Sequence, residues 1–373
     1  MRIGGGGHKS LESSTTTQRQ GPCTPRFGPS LDAVRTIEWR GGDVVLIDQT
    51  LLPSREHVLA AHTVDDLVAA IRRLAVRGAM ALGVAGALGI ALAATRAAEE
   101  GTDVDAAIDD AAAKLRSSRP TAVNLSWGVS RALAARSGGP RTILAAALAV
   151  MDADVAANTA IGRRGALLLG GVKSVLTHCN AGGLAAVEIG TALAVIGALH
   201  ESEPLRVVYA CETRPLLQGA RLTTWELARM KIPHRLIVDG AAAGLILTRR
   251  VDAVVVGADR IAANWDVANK VGTLAHALAA RRVGIPFVVA APESTIDALT
   301  MSGSEIEIEE RDPAEVLTFR NVRTAPDGTL ALNPAFDVTP ADLVTAIVTE
   351  RRVITPAQPN ELRVGEPVLP GIR

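Results

Sequence analysis

Aromatic residues make up only 2% of the 373-residue chain, so its core must be assembled from Ala, Val, Leu and Ile. That scarcity excludes the aromatic stacking platforms on which single-stranded nucleic acids bind. Cysteine is equally sparse. Cys23, Cys179 and Cys211 form no CxxC pair and no even disulfide framework, which points to a reducing, cytoplasmic setting. A dominant charge is missing as well: thirty-nine Lys and Arg balance thirty-nine Asp and Glu, leaving no net field to draw the chain to a nucleic acid or an anionic membrane. The start, MRIGGGGHKSLESSTTTQRQGPCTPRFGPS, has no apolar stretch of signal or anchor length, and residues 1–30 are expected to be a disordered tail. The apolar run 79–95 nears membrane-spanning length, but it is mostly Ala and Gly between Arg77 and Arg96, and a buried helix is expected. GxGxxG, the Walker loop, the Ser nucleophile elbow and His in metal-ligand spacing are all absent, so neither a cofactor nor a metal is expected.

What is present falls into two rhythms. Residues 36–53, TIEWRGGDVVLIDQTLLP, hold two β-prone runs around a Gly-Gly turn, a hairpin signal. HTVDDLVAAIRRLAVRGA places apolar residues at helical spacing behind a Thr cap, and the Ala-rich run and DVDAAIDDAAAKLRSS continue the helical pattern. A hairpin-plus-helical domain is predicted over residues 31–150. From about residue 165, the runs SVLTHC, RVVYAC, HRLIVD, DAVVVG and PFVVAA alternate with LAAVEIGTALAVIGALH, TTWELARM, AAAGLILTR and ANKVGTLAHALAARR. Strands alternating with crossover helices predict an α/β class: a Rossmann-like, doubly wound parallel sheet over residues 151–355. NPAFDVTPADLVTAIVTE predicts a loop and a last packing helix, and 356–373 a C-terminal tail.

Residues 251–272, VDAVVVGADRIAANWDVANKVG, carry an apolar strand toward Asp259, with Asn269 and Lys270 following ten residues on. The carboxyl ends of such strands are where open α/β sheets hold ligands. Asp259 is equally suited to cap a following helix or to pair with Arg260. THCNAGGLAAVEIG puts Cys179 at a strand end and Gly182 and Gly183 at the next helix start, where amides and the helix dipole favour an anion. A thiol there is either reactive or simply a small buried hydrophobe. In RGAMALGVAGALGIAL, Arg77 precedes a Gly-x-x-Gly-x-x-Gly helix. The Gly78 and Ala79 amides and the guanidinium can hold a phosphate, or the glycines are only packing contacts. SRPTAVNLSWG adds Arg119 before a proline, and CETRPLLQGARLTTWEL crowds Glu212, Arg214, Gln218 and Arg221 into one loop on the rim that holds Cys179.

Six blocks in order, RGAMALGVA, SRPTAVNLSWG, LTHCNAGGLA, ETRPLLQGARLTTWEL, VGADRIAANWDVANKVGT and NPAFDVTPADLVTAIVTE, resemble the S-methyl-5-thioribose-1-phosphate isomerases of methionine salvage, over about Ile37 to Val353. Regulatory subunits of the eukaryotic initiation-factor exchange complex and ribose 1,5-bisphosphate isomerases share the fold and parts of the pattern. The resemblance implies an aldose-to-ketose isomerisation of a phosphosugar by a homodimer. It gives Asp259 the place of the proton donor and Cys179 that of the transition-state residue. Arg77, Gly78, Ala79, Arg119, Gln218, Asn269 and Lys270 take the places of substrate binders. Three departures bear on the C5 substituent: Met80 stands where the family has Pro, Gly240 and Ala241 where it has Asn and Met, and Trp265 where it has Gly. They leave room for a 5-deoxyribose 1-phosphate isomerase. A regulatory subunit would keep the fold but need none of the catalytic constellation.

Overall fold

The computed structural model describes residues 35–120, 122–320, 322–356 and 358–362, so the expected tail over residues 1–30 lies outside the described residues. The Gly-Gly hairpin forms as expected: β1 (Ile37–Arg40) and β2 (Asp43–Ile47) pair antiparallel, and β3 (Val58–Ala61) adds a third strand. Helices α1 (Val64–Arg72), α2 (Ala79–Glu100), α3 (Val104–Ser118), α4 (Val123–Leu133) and α5 (Gly139–Leu168) follow. Thr63 caps α1 through a capping box with Asp66, the expected role for that threonine. The apolar run is α2, and 78% of its most apolar window is enclosed by neighbouring helices. Its Gly-x-x-Gly-x-x-Gly face serves packing, because a Cβ on Gly128 of α4 would sit 1.8 Å from the Gly83 carbonyl oxygen. Helix α5 runs straight through residue 150, so the boundary expected there does not separate two layers; Gly162 and Gly165 seat α5 against the next layer.

That layer is built on β4 (Ser174–Thr177), α6 (Ala192–Ser202), β5 (Val207–Cys211), α7 (Thr224–Arg229), β6 (His234–Ile237), α8 (Ala242–Leu247) and β7 (Ala253–Val256). A small antiparallel excursion, β8 (Arg260–Ala262) and β9 (Val267–Lys270), leads into α9 (Thr273–Val283) and β10 (Phe287–Ala290). Two-residue strands β11 (Ile296–Asp297), β12 (Thr318–Phe319) and β13 (Val322–Arg323) precede β14 (Phe336–Thr339), β15 (Ala346–Val348), β16 (Val353–Thr355) and β17 (Gln358–Leu362). The main sheet runs β17-β16-β15-β10-β7-β4-β5-β6, with β15 through β6 parallel and β16 and β17 antiparallel at one edge.

The chain starts this sheet at β4, lays β5 and β6 to one side, and then β7, β10 and β15 to the other. Each central strand sends alternate apolar residues to both faces: Val255 packs with α6, and Val254 and Val256 pack with α8 and α9. This is the expected doubly wound sheet, and its order reverses between β4 and β7.

Four local expectations need correction. The predicted last helix is instead β14, a single turn at Ala341–Leu343 and β15. Pro340 and the β-branched residues on either side of it disfavour a continuous helix, while the burial of Ala346, Ile347 and Val348 beside β10 favours a strand. The helix expected from Ala268 begins only at Thr273, because Val267–Lys270 is the strand β9 and Gly272 turns the chain at φ +106°. The helix expected from Leu184 begins at Ala192, after a single 3₁₀ turn at Gly183–Ala185. Within the expected C-terminal tail, Gln358–Leu362 pairs with β16 as an edge strand.

Candidate functional site

The chain leaves β4 through His178, Cys179 and Asn180, and leaves β7 through Gly257, Ala258 and Asp259, so both segments emerge where the strand order reverses. Crevices at such points collect ligands because two neighbouring loops turn away from each other there. Between them lies a cavity of about 100 Å³. All nine residues expected at the site line it: Arg77, Gly78 and Ala79 at the start of α2, Arg119 at the end of α3, Cys179, Gln218, Asp259, and Asn269 and Lys270 on β9.

Asp259 precedes a strand, not a helix, and Arg260 turns away to Asp297 at 3.7 Å, so neither the cap nor the pair with Arg260 accounts for the carboxylate. Asp259 keeps an exposed surface that faces the cavity, with protein packed around the rest of it. Burial raises its carboxyl above the usual range, while Lys270, Arg119 and Arg77 pull it back. A substrate that fills the cavity removes the remaining water and strengthens the upward push. Burial also raises the Cys179 thiol against the pull of Arg77 and Lys270. Arg77, Cys179 and Asp259 line the same cavity, which places them around a common centre.

The backbone prepares an anion site beside them. Gly78 ends the approach to α2 at φ +94° without a side-chain cap, and a Cβ there would lie 2.5 Å from Ala185. The first amides of a 22-residue helix are thereby left facing the cavity, with the helix dipole behind them. Arg77 is held by Asn180, through its side-chain oxygen and, at 3.4 Å, its carbonyl. Arg119 pairs with Glu309 at 3.2 Å, and the Lys270 ammonium lies 5.0 Å from the Phe336 ring centre.

Three rim residues do not reach the cavity. Arg214 donates to the carbonyls of Pro215 and Val316, and Arg221 ties the loop to the first layer through the carbonyls of Gln49 and Leu52, both at 3.1 Å. Glu212 is outside the lining, as are Gly240, Ala241 and Trp265, so of the departures from the family pattern only Met80 touches the cavity.

Several supporting residues escaped the sequence reading. Glu226, inside a stretch read only as a crossover helix, is buried and raised to about 7 by that burial. It accepts from the Asn180 amide at 2.7 Å and from the Gly183 amide at 2.6 Å. Asn180 in turn holds Arg77, so Glu226 positions the guanidinium without touching the cavity. Thr213 and Thr223 fix Cys179: its amide donates to Thr213 Oγ1 at 2.9 Å, and Thr223 Oγ1 donates to its carbonyl at 2.6 Å. Glu309 and Arg311 reach the lining from a loop far along the chain, which nothing in their local sequence announces.

His178, itself part of the lining, meets His276 behind it at 3.2 Å, and burial lowers them to about 4 and about 3, so both imidazoles are neutral at pH 7.

The model of the initiation factor 2 subunit family matches residues 75–356. The chain is 51% identical over 334 residues to a 5-deoxyribose 1-phosphate isomerase of Moorella thermoacetica, covering 87% of this chain and 95% of that one. It is 50% identical over 344 residues to a methylthioribose-1-phosphate isomerase of Roseiflexus castenholzii, covering 89% and 97%. Among solved structures, 5-methylthioribose 1-phosphate isomerase from Pyrococcus horikoshii superposes with a TM-score of 0.82 at 41% identity, over 89% of this chain and 96% of that one.

Proposed function

The chain belongs to the initiation factor 2 subunit family, and on that premise we propose that it is an aldose–ketose isomerase acting on S-methyl-5-thio-α-D-ribose 1-phosphate to give S-methyl-5-thio-D-ribulose 1-phosphate in methionine salvage. The observation that carries the reading is the convergence of a carboxylic acid, three cationic side chains and free helix amides on one cavity at the reversal of strand order. In this reading, Arg77, Arg119, Lys270 and the amides at 78 and 79 hold the phosphate, while Gln218 and Asn269 take sugar hydroxyls.

Asp259 gives its proton to the ring oxygen as the bond from C1 to that oxygen breaks, leaving an electron-poor C1. Hydrogen then moves from C2 to C1, and the C2 hydroxyl returns a proton to the Asp259 carboxylate as it becomes the ketone. If the hydrogen moves as a hydride, Cys179 need only shield and stabilise the path. Burial keeps that thiol protonated, so little thiolate is available as a base, which favours the hydride over proton removal by a thiolate.

A second reading, 5-deoxyribose 1-phosphate isomerase, is favoured by the 51% identity to the Moorella protein. Leu74, Met80, Leu216 and Phe336 offer an apolar wall that suits either a methylthio or a methyl group at C5. Incubating the purified protein with each sugar phosphate and following ketose formation by NMR tests both readings; no ketose from either would end the isomerase proposal. Repeating the reaction in D₂O should leave C1 free of deuterium if the hydrogen moves as a hydride.

A cytoplasmic homodimer completes the reading. Cys179 and Cys211 are free thiols, and the edge strand β6 with its neighbours exposes Leu236, Val238 and Leu247. A monomeric mass at micromolar concentration would remove the dimer.

A further inference from the structure

Behind the proposed active site, three elements bring together residues that the isomerase reading leaves unused. His178 follows β4, Cys211 ends β5 and His276 lies on α9; all three are buried, with exposures of 1%, 0% and 3%. Their candidate ligand atoms lie within 4.8 Å of one another. The edges are informative. His178 Nδ1 stands 3.2 Å from His276 Nε2, and His276 Nε2 stands 3.7 Å from Cys211 Sγ. Nitrogen bonds of about 2.0–2.1 Å and a sulfur bond of about 2.3 Å give a tetrahedral zinc site nitrogen–nitrogen and nitrogen–sulfur edges of about 3.3 and 3.6 Å.

We propose that His178 Nδ1, His276 Nε2, Cys211 Sγ and an Asp239 carboxylate oxygen form a structural site for a divalent transition metal, zinc by ligand type. Asp239 would have to draw in to supply the fourth corner: its Oδ1 lies 3.9 Å from His178 Nδ1, its two oxygens accept from the Thr213 and Arg214 amides at 2.8 Å, and its partly exposed side chain gives the metal a way in. A thiolate and a carboxylate balance a divalent charge, and the two neutral imidazoles add none, so the metal would leave no uncompensated charge in the interior.

The surrounding bonds fit the same assignment. His178 Nε2 is 2.8 Å from the Val271 carbonyl, which only accepts, so Nε2 carries the proton and Nδ1 is left bare toward the cluster. Metal-bound histidines commonly show this carbonyl partner on the far nitrogen. His276 Nδ1 finds no partner, so nothing on that side opposes a tautomer that turns the Nε2 lone pair inward. Binding would displace the Cys211 thiol proton to solvent. The metal would link the ends of β4 and β5 to α9, next to Cys179 and Lys270, and so brace the cavity wall to which His178 contributes.

Untagged protein from cells grown with Co²⁺ in place of Zn²⁺ provides the test. One equivalent of cobalt per chain, with tetrahedral ligand-field bands and a thiolate-to-cobalt charge-transfer band, is expected. Cys211→Ser should lose the charge-transfer band, and His276→Gln should weaken retention against a chelator by more than about tenfold. Because Cys211→Ser can fail to fold, the Cys23→Ser/Cys179→Ser double variant supplies a second measurement: Cys211 is then the remaining thiol, and the band should persist. Trace cobalt in the wild-type protein, a band that survives Cys211→Ser, or a band lost in the double variant would each overturn the assignment.

Discussion

At Asp259 the chemistry and the fold part company cleanly. Its carboxylate caps no helix, and its neighbour Arg260 pairs elsewhere. Asp259→Asn keeps the shape but has no carboxyl proton to give, so turnover should fall by about 10²- to 10⁴-fold while circular dichroism stays unchanged. Near-normal turnover in the folded variant would remove Asp259 from the mechanism. Arg77 makes a different prediction. If its guanidinium holds the phosphate equally in ground and transition states, Arg77→Ala should raise KM more than it lowers kcat. Glu226→Gln should move KM the same way by a smaller factor, because Glu226 reaches Arg77 only through Asn180. Steady-state kinetics on the three variants decide between these roles, and an Arg77→Ala effect confined to kcat would refute ground-state phosphate binding.

Among the elements, the packing of α2 against α4 sets where the phosphate amides stand. The two backbones touch at Gly83 and Gly128, and no side chain fits at Gly128. Gly128→Ala should therefore force the helices apart and cost on the order of 1–3 kcal/mol in urea denaturation, an overpacking penalty. Gly240→Ala is the control: a Cβ there meets nothing within 4 Å, and stability should be unchanged. Equal midpoints for the two variants would contradict the packing argument.

The same elements show what the sequence could convey. The strands that deliver Cys179 and Asp259 were legible because burial on both faces leaves unbroken apolar runs. The segment 333–350 was not, because Ala, Asp and Leu directly after Pro340 look like the start of a helix, and it is the open edge of β10 that makes Ala346–Val348 a strand. Glu226 and Glu309 were silent for a related reason: their partners Asn180 and Arg119 lie 46 and 190 residues away.

For the molecule as a whole, buried ionisable groups of opposite kind shape the dependence of stability on pH. Burial raises Glu226 from 4.5 to about 7, so the folded protein holds that proton more tightly than the unfolded chain. Its contribution is fully present below about 4.5 and is lost as pH rises through about 7. Asp154 is raised to about 7 in the same sense, though part of its surface stays open to water and its share is smaller. In the metal-free protein, His178 and His276 act in the opposite direction. Their folded values, about 4 and about 3, lie below the usual 6.5, so their contributions are present above 6.5 and are lost as pH falls through those folded values. Asp48, Asp66 and Asp297 are lowered and act only below about 4. Between pH 4.5 and 6.5, then, the raised carboxyls and the imidazoles of the metal-free protein push the urea midpoint in opposite directions. Glu226→Gln removes one falling contribution and leaves both rising ones, so its midpoint should climb with pH relative to that of the metal-free wild type over that window. His276→Gln should tilt the profile the other way. Three parallel profiles would show that these buried groups do not titrate as the folded environment dictates, and with that the placement of a neutral Glu226 behind Asn180 and Arg77 at acid pH would fail.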